Sequence, residues 1–224
     1  MKGSGLATDW EEVQRHDGGG TWIAYPEETM ERASHVLAVD DEVWVIDPVD
    51  TVGLDDYLTE FGDIAGVVVL LDRHKRDSAE IATRHDVSVW VPEFMDGVAS
   101  KLDAPTERFR YELADTGYVA YTLVDNRFWQ EAILYSEDGD ILIVPESVGT
   151  AAYFRTSSEP LGVHPMMRVT PPRKLARFEP DRLLVGHGAG IPEHATEALS
   201  TALDGSRRRT PSLMAKNLRN LVFG

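Results

Sequence analysis

Short apolar runs, each bounded by turn residues, divide this chain into alternating elements. Val67 to Leu71, Ile141 to Val144 and Leu183 to Val185 are unbroken aliphatic stretches, the pattern of strands covered on both faces. Thr21 to Ala24 reads as a first strand after a polar lead-in. Leu37 to Val39 and Val43 to Ile46 flank Asp40-Asp41-Glu42 and read as a hairpin that Asp47-Pro48 ends. Leu54, Leu58 and Phe61 recur at helical spacing up to Gly62. A helix from Asp77 to about His85 and a strand from Val87 to Val91 follow, and this strand, helix, strand order favours parallel pairing.

The second half repeats the theme with expected strands at Phe109 to Leu113, Val119 to Val124, Glu131 to Tyr135 and Ile141 to Val144, with Asp138-Gly139 as a hairpin turn. Helices are expected at about Arg173 to Arg177 and Pro192 to Leu203. After Arg207-Arg208-Arg209, Leu213, Met214, Leu218, Leu221 and Val222 form an apolar stripe at helical spacing. The expected division is a lead-in over 1–20, one α/β domain over 21–205 and a basic amphipathic helix over 206–224, docked on its own domain or on a second subunit.

Composition narrows the function classes. Asp and Glu number 38 against 22 Lys and Arg, a formal charge of −16. With Lys at just Lys2, Lys75, Lys101, Lys174 and Lys216, the surface reads as one adapted to molar salt, such as a haloarchaeal protein; the plain alternative is an acidic mesophilic one. Such a surface disfavours nucleic acid and anionic membranes as partners. The chain has no cysteine, which excludes thiolate ligands, disulfides and a cysteine nucleophile. No apolar segment is long enough to span a bilayer, so a soluble cytoplasmic protein is expected.

Chemistry-bearing residues follow three of the apolar runs: Asp72-Arg73-His74-Lys75-Arg76-Asp77-Ser78 after the first, Pro145-Glu146 after the second and Gly186-His187-Gly188 after the third. Strand ends are where α/β proteins place their sites. In order and spacing these pieces resemble the metallo-β-lactamase superfamily, whose first motif is His-x-His-x-Asp-His, followed by a Gly-His, a Gly-Asp after a further strand and a closing Gly-His. The resemblance spans roughly Thr21 to Leu203 and implies a four-layer αββα sandwich. Laid on this chain, it puts the motif Asp on Asp77, the bridging Asp on Glu146 and the last His on His187. The first two His positions fall on Arg73 and Lys75, the His after the Asp on Ser78, and the middle His near Arg127.

Arg stays protonated and cannot ligate, and Lys can do so solely as the free amine. The resemblance therefore implies a degenerate site with no metal cofactor expected, in which Arg73, Lys75 and Arg127 fill the volume of the lost cations and neutralise Asp77 and Glu146. Their surplus of one positive charge suits a small anionic ligand. The alternative is a mononuclear hydrolase holding one zinc, manganese or iron through His74, Asp77, Glu146 and His187, although strand alternation would turn His74 away from the site. A third reading is a structural or subunit-interaction protein, with a homo-oligomer formed through the basic helix.

Among other candidates, His164 lies in a long connection from Tyr153 to Thr170, where surface placement is expected over a role as base or ligand. Trp129, Tyr153 and Phe154 are core or pocket-wall aromatics. Gly186 to Gly190 is a weak match to a dinucleotide loop, and no phosphate loop, nucleophile elbow or His-Glu-x-x-His motif is present.

The acidic excess generates a first prediction. Carboxylates that repel one another in dilute buffer should make folding depend on molar salt. Circular dichroism in low salt should show a lost or weakened native signal, and an unchanged melting temperature there would refute the idea.

Overall fold

The unbroken apolar runs become strands of two facing sheets in the computed structural model, which describes residues 5–136 and 140–223. The first sheet contains β1 (Trp10–His16), β2 (Gly19–Ala24), β3 (Ala33–Val39), β4 (Glu42–Ile46), β5 (Asp63–Val68), β6 (Val89–Pro92) and β7 (Thr106–Phe109), hydrogen-bonded in chain order. Strands β1 to β4 form an antiparallel meander, and β4 to β7 run parallel. Parallel neighbours need crossovers. Here α1 (Leu54–Thr59), α2 (Ser78–Arg84) and α3 (Asp96–Ala99) supply them.

The second sheet has the order β13 (Arg182–Val185), β10 (Ile141–Val144), β9 (Trp129–Ser136) and β8 (Val119–Asn126). Strands β10 and β13 are parallel, whereas β8, β9 and β10 are antiparallel neighbours. A small pair, β11 (Val148–Gly149) and β12 (Gly162–Val163), lies beside them. The long final helix is α4 (Ala195–Phe223).

Strand alternation sorts the second sheet's side chains into two cores. Ala132, Leu134, Ile141, Ile143 and Leu184 face the first sheet and join Trp22, Val45, Val67, Val69 and Val91 in one cluster, which also takes Leu54, Leu58 and Ile81 from α1 and α2. Ile133, Leu142, Val144, Leu183 and Val185 point the other way and pack on Ala195, Leu199, Ala202 and Leu203 of α4. The result is the expected helix, sheet, sheet, helix layering.

Three boundaries differ from the sequence expectation. Strand β1 lies inside the supposed lead-in: its outward positions are charged, so it carries little apolar signal, yet it pairs with β2 from Trp10 to His16. Strand β7 covers Thr106–Phe109 instead of Phe109 to Leu113, because its pairing with β6 sets Thr106 opposite Val89. The two expected C-terminal helices are one, α4, which runs through Gly205 and Pro211. The expected turn at Asp138-Gly139 falls outside the described residues, although β9 and β10 pair as it requires.

The long connection after β11 folds around an internal ion pair. Arg168 donates to Glu159 at 2.5 Å with both side chains fully buried, and it also donates to the Phe154 carbonyl at 2.8 Å. Helix α4 clamps this segment: Ser206 Oγ donates to the Arg168 carbonyl at 2.7 Å, Asn217 to that of Tyr153 at 3.0 Å and Lys216 to that of Arg155 at 2.6 Å. Leu213 is fully buried, while Met214 and Leu218 stay exposed. Among the described residues, no helix is long and apolar enough to cross a membrane.

Docking of α4 through Leu213 is therefore testable by comparison with a neighbour. Leu213→Ala should lower unfolding free energy in urea by about 2–5 kcal/mol, whereas Leu218→Ala should stay within about 0.5 kcal/mol. Equal effects would contradict the observed packing.

Candidate metal centre

The ends of β4, β5, β10, β12 and β13 converge on one edge of the two sheets, and each contributes a polar side chain there. The register of β10 and β13 pairs Val144 with Val185, so Glu146 and His187 both lie two residues beyond the same rung. Close approach of the two strand ends requires glycine at 186, where a Cβ would stand 2.2 Å from the Pro145 carbonyl oxygen. Gly188 has φ +93°, and a Cβ there would meet the Ala151 nitrogen at 2.4 Å. Those two constraints explain the glycines that flank His187.

After β5 the chain makes a tight turn, with the His74 N–H donating to the Leu71 carbonyl at 2.9 Å. The turn breaks strand alternation, so His74 swings into the site and Arg73 out of it. His74 Nδ1 meets Asp47 Oδ2 at 3.0 Å, and Asp47 Oδ1 accepts the Leu70 N–H at 2.9 Å. Asp47 sits at φ +45° and Arg76 at φ +40°, left-handed backbone of the kind that clusters at functional sites.

Three imidazoles surround Glu146. His74 Nε2 and His187 Nε2 each lie 3.3 Å from Oε2, and His164 Nε2 lies 3.3 Å from Oε1. His187 Nδ1 donates to the Met30 carbonyl at 2.8 Å, and His74 Nδ1 carries the proton shared with the Asp47 carboxylate. The Nε2 lone pairs of both rings then point toward a carboxylate oxygen. Burial lowers the pKa of His187, with Glu146 pulling the other way. For Glu146, burial pushes the carboxyl up, but bonds from His164, His187 and His74 prevail when their Nε2 atoms carry protons and then hold it well below the usual carboxylate range, whereas with the protons on Nδ1 the His74 and His187 Nε2 atoms offer lone pairs instead.

This donor set fits a single divalent metal. His74, Glu146 and His187 are buried, and their candidate ligand atoms lie within 4.8 Å of one another. A charge-assisted hydrogen bond would close to about 2.7–2.9 Å. The 3.3 Å spacing matches the edge of a tetrahedron with arms of about 2.0–2.1 Å. Each ligating ring is oriented through its far nitrogen by a carboxylate or a carbonyl, the usual support for metal-binding histidine.

Several expected site residues lie outside the cluster of His74, Glu146 and His187, Arg73 among them at the cavity wall. Asp77 is outside the cluster, its Oδ2 accepting the Asp50 N–H at 2.8 Å, and burial raises its pKa. Arg73 is 43% exposed, lies over the Trp129 ring at 4.3 Å and donates to the Phe128 carbonyl. Lys75 reaches the Asp72 carbonyl, and exposed Arg127 lies by Phe128. The cation beside the imidazoles is Arg76. Its Nη1 donates to the carbonyls of Ala33 at 2.5 Å and Asp47 at 2.6 Å, and its Nη2 to that of Gly186 at 3.1 Å and to His74 Nε2 at 3.3 Å. Burial lowers the Arg76 pKa to about 10, with Asp47 opposing.

His74 and Arg76 therefore face the cluster, each one residue on from the expected Arg73 and Lys75. A one-residue slip exchanges inward and outward side chains, which is why Arg73 and Lys75 were expected inside. His164 is also buried in the site instead of at the surface, and Glu131, Asp47 and Arg76 carried no sequence signal beyond charge in or beside a strand. Glu131 is fully buried and accepts from Glu146 N and Ser147 N at 2.9 Å each, Ser147 Oγ at 2.5 Å and Trp129 Nε1 at 2.9 Å, fixing the turn that bears Glu146.

A cavity of about 510 Å³ opens on the cluster, walled by Glu28, Met30, Arg32 and Arg73 as well as the site residues. Phe154 stacks on His187 and meets His164 edge-on, while Trp129 closes on His164 from another side.

Arg76 and Arg73 should differ sharply on substitution. Arg76→Met removes the donor to the Ala33 carbonyl and the cation beside buried Asp47 and should cost about 3–5 kcal/mol, whereas Arg73→Met should cost about 1 kcal/mol or less at its exposed position. Urea unfolding of both variants reads the difference, and the reverse order would reject this assignment of the interior cation.

No family model and no curated protein sequence matches the chain. Solved structures do. DIM-1 metallo-β-lactamase exposed to ceftazidime superposes with a TM-score of 0.64 at 11% identity, covering 93% of this chain and 99% of that one. The metallo-β-lactamase from Pontibacter korlensis gives 0.62 at 14% identity, covering 88% and 98%, and TMB-1 gives 0.62 at 13%, covering 91% and 97%. With the layering, the strand-end site and these superpositions together, the chain has the metallo-β-lactamase fold.

Proposed function

We propose that this protein is a mononuclear metal-dependent hydrolase acting on a small anionic substrate. The observation that carries the reading is the convergence of two Nε2 lone pairs and one carboxylate oxygen, His74, His187 and Glu146, at 3.3 Å spacing on the floor of an open cavity. Three protein donors leave one position of a tetrahedral ion for water or substrate, the arrangement of catalytic sites. A zinc, manganese or iron ion held there would supply Lewis-acid activation of water.

The chain's own residues do the rest. Asp47 and the Met30 carbonyl hold the two ligand rings in one tautomer. Phe154 and Trp129 exclude water from the flank of the site. Arg32 and Arg73 line the cavity; Arg32 is held by Glu28 at 2.6 Å, and Arg73 presents its guanidinium from the face of Trp129. In a chain of formal charge −16 this cationic wall supports a carboxylate or phosphate group on the substrate.

A second reading rests on Arg76. Its Nη2 stands 3.3 Å from His74 Nε2, so a guanidinium can serve as the cation of a metal-free anion-binding site. Metal analysis separates the two. Protein purified without chelator should carry about one equivalent of zinc, manganese or iron, with EDTA lowering its melting temperature and His187→Ala abolishing uptake. Metal-free protein whose melting temperature ignores both EDTA and added zinc would reject the hydrolase and leave the anion-binding site.

A further inference from the structure

We infer that His164 is a positioning residue that reserves a single oxygen of Glu146 for the metal, keeping a coordination position open. The inference rests on the metal reading above. A carboxylate can bind a cation through one oxygen or both. Here the two oxygens have separate partners: Oε2 faces His74 and His187, whereas Oε1 faces His164 Nε2 at 3.3 Å.

The hydrogen-bond network assigns the direction of that last contact. His164 Nδ1 accepts the Met166 N–H at 3.3 Å, so the ring proton is on Nε2 and is donated to Oε1. The ring cannot swing away easily. It is buried in T-shaped contact with Trp129 and Phe154, ring centres 5.0 and 5.3 Å away, and the backbone N–H of His164 donates to the Ser147 carbonyl at 2.9 Å. Glu131 meanwhile fixes the backbone of Glu146 and Ser147. Both partners of the His164–Glu146 contact are thereby anchored to the same turn.

Without the donor on Oε1, both oxygens of Glu146 become free to chelate, which would fill the position that water or substrate needs. His164 thus differs from the ligands: it acts through Glu146 and should alter how the metal is held more than whether the protein folds.

Cobalt(II) is the probe, added to chelator-treated full-length protein. Wild type should take up one equivalent and show the intense visible absorption of a four-coordinate ion. His164→Met fills the volume but lacks the donor; it should weaken that absorption several-fold, as a second oxygen of Glu146 enters, and shift cobalt affinity measurably from the wild-type value. His164→Gln, whose amide can still donate, should restore both. If His164→Met does not fold by circular dichroism, His164→Asn, whose shorter amide stops short of Oε1, replaces it in the comparison. Uptake with the same spectrum and affinity in wild type and the donor-less variant overturns this inference alone. No cobalt uptake by wild type overturns the metal reading and this inference with it.

Discussion

Arg76 spreads its terminal nitrogens over the carbonyls of Ala33, Asp47 and Gly186, which begin β3, follow β4 and follow β13. One side chain thereby ties the edge of the first sheet to the edge of the second. The Gly186 carbonyl also accepts the Ala33 N–H at 3.0 Å and the Asp47 carbonyl the Ser34 hydroxyl at 3.0 Å, so Arg76 fills a second acceptor position on these two and bonds the Ala33 carbonyl where β3 begins. The guanidinium suits this task because it is planar, always charged and carries several fixed donors. The rest of the site is arranged around it, with Asp47 set between Arg76 and His74, and with His74 between Asp47 and Glu146.

Buried charge in this molecule is consistently matched by directed partners. Glu131 has four donors, Glu146 three imidazoles, and Glu159 takes Arg168 along with Thr156. Such groups are costly when unpaired and rigidifying when satisfied. Glu146 and Glu159 sit along the turns that follow β10 and β11, and Glu131 reaches the first of these from β9, so the polar interior fixes the geometry of the same loops that carry Glu146 and His164.

The basic end of the chain has a related use. Residues 206–224 include Arg207, Arg208, Arg209, Lys216 and Arg219 and no acid. Two of these cations bond carbonyls of the connection after β11, Arg207 that of Val169 and Lys216 those of Ala152 and Arg155, while Arg209 bonds that of Thr201 within α4 itself. Cations at this helix cap exposed loop carbonyls, holding down the segment that delivers His164.

Periodicity and turn chemistry determined much of this architecture in advance. Aliphatic runs from Val67, Ile141 and Leu183 read as buried strands, and the helix-sized gaps between β4, β5 and β6 favoured parallel pairing. Glu146 and His187 were legible too, because each directly follows such a run. Sequence could not give the path of the chain beyond a strand end: the turn at Leu71 to His74 replaces strand alternation and so decided that His74 and Arg76, not Arg73 and Lys75, face inward. Nor could it place His164, whose connection folds on the Glu159–Arg168 pair and under α4. Local pattern records which residues are covered; which turns and distant loops meet at one point is set by tertiary packing, because contacts across 16 to 110 residues leave no periodic trace.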